Sequence, residues 1–197
     1  MYPFLETIRL EDGSLEKLDY HNARIKRTMA AFYPGRELIL SQELAAEAPK
    51  NGLYKCRTIY DTEIRKIEFV PYSPPKIQSL KIVAADKLNY AFKFLNREKL
   101  NSLFQLRGKT DDVLLVKQGL VTDTSFCNVL FYNGKQWLTP AYPLLQGTQR
   151  QFLLEKELIH LADIRPQDLH HFTKIRLINA MIRFEDALDI LPDAIYF

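Results

Sequence analysis

Gly119-Leu120-Val121-Thr122-Asp123-Thr124-Ser125-Phe126-Cys127-Asn128-Val129-Leu130-Phe131 is the stretch on which the reading of this chain turns. Its two apolar arms, at 120–122 and 128–132, are rich in β-branched, leucine and aromatic residues and predict two strands. Asp123 and several short polar side chains lie between them. If that carboxylate is buried it needs a partner. A protonated heterocyclic nitrogen would serve; an aspartate that caps a turn is the plainer alternative.

The pattern continues on both sides. Downstream, Asn133-Gly134 is a tight hairpin turn into Trp137-Leu138-Thr139-Pro140. Gly147-Thr148 opens a helix through about His160, which suits a helix C-terminus, and residues 175–180 read as a late strand. Upstream, a helix near Phe94 to Leu106 precedes a strand at 113–116 and a turn at 117–119. Tyr72-Ser73-Pro74-Pro75 is the stiffest stretch, either a plain loop or a lobe boundary, and leads into extended residues 77–83. Before it, 52–60 and 63–72 read as a hairpin whose second arm alternates. Residues 4–10 read as a strand, 11–14 as a turn, and 15–18 as a short second strand. Asp19 is the expected N-cap of a helix through Phe32 with Ile25, Met29 and Phe32 on one face, and Ser41 caps a short helix to Ala48. Hairpins and helices without regular βαβ alternation favour an α+β fold.

Bulk properties narrow the function. The 197 residues are 47% hydrophobic and 26% charged, an ordinary globular composition. A net charge of +3, with Lys and Arg spread along the chain, does not point to nucleic acid and suits an anionic small molecule. No segment approaches eighteen consecutive apolar residues and the first residues carry no basic leader, so no membrane partner and a cytoplasmic location are expected. Cys56 and Cys127 lack metal or redox spacing and read as buried free thiols. His170-His171 has no ligand-spaced Cys or carboxylate and reads as a polar loop, so no metal site is expected.

Besides Asp123, three local features carry chemistry. Lys93 stands between Phe92 and Phe94; partial burial would lower an ammonium pKa as Schiff-base chemistry requires, whereas a snorkelling lysine is the commoner reading. Gly147 at a helix start lets backbone N–H groups approach an anion, with the Thr148 hydroxyl as a further donor, or is simply a helix entry. Arg24, early in a helix, could grip a phosphate or face water.

Taken together, Lys93-Phe94-Leu95-Asn96-Arg97, the segment Gly119 to Phe131, Leu138-Thr139-Pro140, Leu145-Gln146-Gly147-Thr148-Gln149-Arg150 and His21-x-x-Arg24 resemble the class-IV aminotransferase family of pyridoxal-phosphate enzymes. That group contains branched-chain and D-amino acid aminotransferases and 4-amino-4-deoxychorismate lyase. The resemblance implies a two-lobed α+β, D-amino acid aminotransferase-like fold with a short N-terminal lobe at 1–73, a larger cofactor-binding lobe at 76–197 and pyridoxal 5'-phosphate between them. It implies that Lys93 holds the cofactor covalently and moves the substrate proton, and that Asp123, at a position where the family has glutamate, pairs with the pyridine nitrogen. Arg24, Gly147 and Thr148 would hold the phosphate, with Asn179 and Ala180 nearby. It further implies a homodimer acting on a small amino or aminodeoxy substrate. The lysine segment and the compact size lean to the lyase, which releases pyruvate and forms p-aminobenzoate for folate synthesis. An amino acid aminotransferase and a non-catalytic relative remain as alternatives, and Arg9, Arg57 or Arg176, each on an expected strand, could bind a substrate carboxylate.

Overall fold

The computed structural model describes residues 3–197 and divides them into two compact units. Met1 and Tyr2, where the expectation of no leader begins, lie outside the described residues. The first unit runs to Pro74 and takes in Phe92–Asn96; the second comprises Pro75–Ala91 and Arg97–Phe197.

In the first unit a four-stranded sheet has the order β2-β1-β3-β4, with β1 at Phe4–Glu11, β2 at Ser14–Leu15, β3 at Leu53–Tyr60 and β4 at Ile64–Pro71. Alternation puts Phe4, Ile8 and Leu10 of β1 on one face, fully buried. Helix α1, Leu18–Phe32, contributes Ile25 and Met29 to the same core. Its N-cap is Lys17 in the left-handed region, not Asp19, which falls in the first turn and there meets the positive end of the helix. β2 is only two residues long because the helix starts at Leu18, and the helix expected at 41–48 is a 3-10 turn, Gln42–Ala45, capped by Ser41.

Among the described residues the second unit is a nine-stranded mixed sheet with two α-helices and two 3-10 turns. Strands β5 (Leu80–Ala84), β6 (Asp112–Lys117), β7 (Leu120–Thr124), β8 (Asn128–Tyr132) and β9 (Trp137–Pro140) are consecutive neighbours. β10 (His160–Ala162) adds to β9 in parallel, β11 (Lys174–Ile178) pairs with β8 and with β12 (Asp189–Ile190), and β13 (Ile195–Tyr196) pairs in parallel with β5. Helix α2 spans Glu98–Gln105 and begins four residues later than expected, because Phe94 is bridged to Phe4 in the first unit. Helix α3, Thr148–Glu155, stops short of His160; Glu157 adopts positive φ, and His160 opens β10 instead of closing a helix. Pro166–His171, including both histidines, is a 3-10 turn. Cys56 and Cys127 are buried thiols, not joined in a disulfide among the described residues. Among the described residues no helix is long and apolar enough to cross a membrane, and no group of three or more potential metal ligands occurs.

Candidate active site

In the first unit, the alternation that buries Phe4, Ile8 and Leu10 also buries Glu6, with no exposed surface. A carboxylate there requires compensation. α1 supplies it: His21, Arg24 and Thr28 line its buried face alongside Ile25. Arg24 Nε donates to Glu6 Oε1 at 2.8 Å and Arg24 Nη2 donates to Oε2, a forked pair. His21 Nδ1 lies 2.5 Å from Glu6 Oε2. Burial alone would raise the Glu6 pKa, but the charge of Arg24 and the His21 hydrogen bond outweigh it and hold the carboxyl at about 2. Burial lowers the His21 pKa, while the Glu6 carboxylate beside it acts in the opposite direction. Arg24 is thus buried instead of facing water, with one edge of its fork committed to Glu6.

Lys93 is fixed by backbone on either side. Leu5 N donates to Lys93 O at 3.0 Å, Leu95 N donates to Pro3 O at 3.0 Å, and Phe94 forms an antiparallel bridge with Phe4. The flanking rings pack into the aromatic core, Phe92 4.9 Å from Phe32 and Phe94 5.1 Å from Phe4. The two phenylalanines that made Lys93 awkward in the sequence are therefore its anchors, and the lysine between them is half-buried.

In the second unit, Asp123 near the end of β7 is paired in register with Asn128 at the start of β8. Asn128 Nδ2 donates to Asp123 Oδ1 at 2.7 Å and to Leu145 O at 2.9 Å, while Leu145 N donates to Asp123 Oδ2 at 2.9 Å. Burial pushes the Asp123 carboxyl up to about 6, because these neutral dipoles and the charge of Arg150 only partly offset the loss of water. Arg150 itself is buried and directed at Thr139 Oγ1 and Pro140 O. Among the described residues no cation hydrogen-bonds to Asp123.

Gly147 caps α3 with φ −71°, so no unusual backbone demands glycine. A close approach does: a Cβ there would lie 1.9 Å from Asn128 Oδ1. α3 has no side-chain cap, so the N–H groups of its first turn are not met by a capping side chain. Thr148 and Gln149 are buried in that turn, and Gln149 Oε1 has no hydrogen-bond partner among the described residues. Asn179, just beyond β11, accepts from Met181 N and Ile182 N and donates to Cys127 Sγ at 3.1 Å and weakly to Phe126 O. Its side chain is thus committed to a turn and to the loop after Asp123, and Ala180 sits half-buried in that turn. Arg97 Nη2 donates to Ser125 O at 2.6 Å, bracing the same loop. Arg176 is occupied by Asp189 and lies over the Trp137 and Phe184 rings, which makes it a structural residue.

The sequence-derived residues divide between the units: Lys93 and Arg24 lie in the first, and Asp123, Gly147, Thr148, Asn179 and Ala180 in the second, where Asn128 joins Asp123 to Gly147. Glu6 and Asn128 were not singled out. Glu6 had a visible signal, an acidic residue in phase with Phe4, Ile8 and Leu10. Asn128 stood in the family-like segment with no role assigned to it, since its meeting with Gly147 joins two distant elements.

The sequence pattern of amino-transferase class IV matches residues 4–184. The chain belongs to that family. Members of class IV depend on pyridoxal 5'-phosphate, and this chain is a pyridoxal-phosphate-dependent enzyme of class IV. Its fold is that of fold-type-IV enzymes. It is similar to the crystal structure of a proposed 4-amino-4-deoxychorismate lyase of Haemophilus somnus 129PT, at 34% identity and TM-score 0.84, with 93% of this chain and 98% of that one covered. It is 27% identical to a proposed aminodeoxychorismate lyase of Schizosaccharomyces pombe over 87% of this chain and 83% of the relative. A hypothetical aminotransferase of Mycobacterium tuberculosis in its PLP-bound form shares the fold, at 19% identity and TM-score 0.75, over 96% of this chain and 80% of that one.

The donor set of the second unit fits the class-IV cofactor. A buried carboxylate held by neutral groups, with no cation in hydrogen-bonding reach, is what a protonated pyridine nitrogen requires. Aspartate in place of the family's glutamate is accommodated by Asn128 and Leu145, which fix both carboxylate oxygens.

Proposed function

We propose that this chain is a 4-amino-4-deoxychorismate lyase, releasing pyruvate and forming p-aminobenzoate. The observation that carries the cofactor half of this reading is the under-compensated buried carboxylate of Asp123. The similarity to proposed lyases of Haemophilus somnus and Schizosaccharomyces pombe, together with Lys93-Phe94-Leu95-Asn96-Arg97, supports the reaction half. Folate synthesis, a cytoplasmic location and a homodimer go with this reading, on the strength of the family resemblance.

The bound cofactor would supply an electron sink for charge developing on the substrate. In this reading Lys93 would hold the cofactor through Nζ, and the same amine would carry the proton of the substrate α-carbon. Asp123 would hold the pyridine nitrogen protonated. In the second unit the first-turn N–H groups of α3 at Thr148 and Gln149 would be the phosphate donors, with Asn179 and Ala180 in the same unit; in the first unit Arg24 is the candidate phosphate cation. Gly147 contributes by making room for Asn128, which orients Asp123.

Pyruvate released from aminodeoxychorismate with no keto acid present is the expected result. Turnover that appears only when a keto acid acceptor is added would replace the lyase with an aminotransferase. Lys93→Ala is expected to abolish both turnover and the visible absorbance of bound cofactor; an unchanged spectrum would remove Lys93 from its role.

A further inference from the structure

The sheet of the first unit has a second face. Directly opposed residues of an antiparallel ladder share a face. The registers Leu5↔Ile59, Thr7↔Arg57 and Arg9↔Lys55 therefore put Arg9, Arg57 and Lys55 together, opposite the face that carries Phe4, Glu6 and Ile8. Phe4 is bridged to Phe94 in antiparallel sense, so Lys93 stands opposite Leu5 and joins this same second face. With strands ~4.8 Å apart and a rise of ~3.4 Å per residue, the Cα atoms of Lys93 and Arg57 are roughly 12 Å apart, with long side chains at both ends.

The cations of this face are not equivalent. Arg9 is buried and paired with Glu11 at 2.9 Å and Glu16 at 3.3 Å. Arg57 is paired with Glu68 at 2.8 Å, and Glu68 also takes Lys66 at 2.8 Å. Lys55, across from Arg9 and two residues from Arg57, is half-buried with Nζ 4.6 Å above the Tyr72 ring. Among the described residues it makes no ion pair. Burial and the nearby Arg57 charge lower its pKa, the mark of an ammonium without an anion.

We propose that Lys55, backed by Arg57, receives a carboxylate of the substrate remote from the atom that reacts at Lys93. The chain then selects amino substrates carrying a second anionic group over aliphatic monoanionic amino acids. This rests on the assignment of Lys93 as the cofactor lysine and names the substrate class that follows.

The test uses the cofactor-loaded enzyme and 4-aminobenzoate as a carboxylate probe, with binding read by calorimetry and turnover of aminodeoxychorismate read in parallel. Lys55→Met is expected to raise both the Kd of 4-aminobenzoate and KM roughly tenfold with kcat nearly unchanged, and Lys55→Arg to restore both. Added salt should weaken binding to the wild type more than to Lys55→Met. A thermal melt of each variant separates lost binding from lost folding, and Lys55→Gln serves if the methionine variant does not fold. Unchanged Kd and KM in a folded Lys55 variant, or no binding of 4-aminobenzoate by the wild type, overturns the proposal. If the wild type binds the probe through Lys55 yet releases no pyruvate, the lyase reading fails while the carboxylate site stands.

Discussion

Glu6 in the first unit and Asp123 in the second are both buried carboxylates, yet their environments drive them apart. Glu6 faces an arginine fork and a histidine and is held at about 2. Asp123 faces an asparagine amide and a backbone N–H, and burial takes it to about 6. The first is complete within its own unit and acts as structure. The second is oriented by its neighbours but has no hydrogen-bonded cation among the described residues, Arg150 acting only through its charge, and that leaves it open to a cationic ligand. Desolvation is the largest influence on both; the partner decides the outcome.

The sharpest way to break the contrast is to remove each carboxylate in turn. Asp123→Asn is expected to lower turnover by at least ~100-fold, since in the proposed role it removes the charge that would keep the cofactor ring protonated. Cofactor titration should show weaker binding in the same variant, while the unfolding free energy of the cofactor-free protein at pH 8 stays level or rises. Glu6→Gln should do the reverse to stability: it leaves Arg24 buried without its carboxylate and costs about 3–5 kcal/mol in urea unfolding. Equal destabilisation by both substitutions would erase the distinction.

The pH dependence separates the two by sign. Glu6 has its folded pKa depressed, so its contribution to stability is present above pH 4.5 and is lost as pH falls towards about 2. Asp123 has its folded pKa raised from 3.8 to about 6, so its contribution is present below pH 3.8 and is lost as pH rises through about 6. Two units correspond to about 3 kcal/mol for the cofactor-free protein. The His21 pKa is lowered, so its contribution is present above 6.5 and lost as pH falls, opposing Asp123 in part of the same window. Unfolding of wild type minus Asp123→Asn across pH 4–8 isolates the aspartate, and saturating cofactor should flatten that difference.

The smallest effect sharpens the support of Asp123. A methyl group at residue 147 would collide with Asn128 Oδ1, so Gly147→Ala should cost about 1–3 kcal/mol and weaken cofactor binding by way of Asn128. A crystal structure showing Asn128 unmoved in that variant would sink this explanation of the glycine.

Much of this was legible in the sequence because it depends on local pattern. The apolar arms around Asp123, the Asn133-Gly134 turn and the face of α1 all follow from spacing of two or of three to four residues. Lys93 was legible through its motif, and its flanking rings explain its position only once Phe4 and Phe32 are seen beneath them. What was not legible is what depends on distant elements meeting. Nothing near Gly147 announces Asn128, nothing near His160 announces a parallel partner in β9, and Ile195 gives no hint of pairing with Leu80. The early end of α3 had a subtler reason, a positive φ at Glu157 that no proline or glycine marks.

The path of the chain adds a consequence for synthesis. Phe92 and Phe94, which belong to the aromatic core of the first unit, are separated from it in sequence by Pro75–Ala91, part of the second. On the ribosome, the N-terminal unit therefore cannot close its core when residue 74 emerges. It must wait, with Phe4 and Phe32 lacking two of their ring neighbours, until the strand of the second unit at Leu80–Ala84 has already been made. N-terminal domains ordinarily fold first as units; here Lys93, the lysine proposed to hold the cofactor, travels on the very segment that enforces the delay.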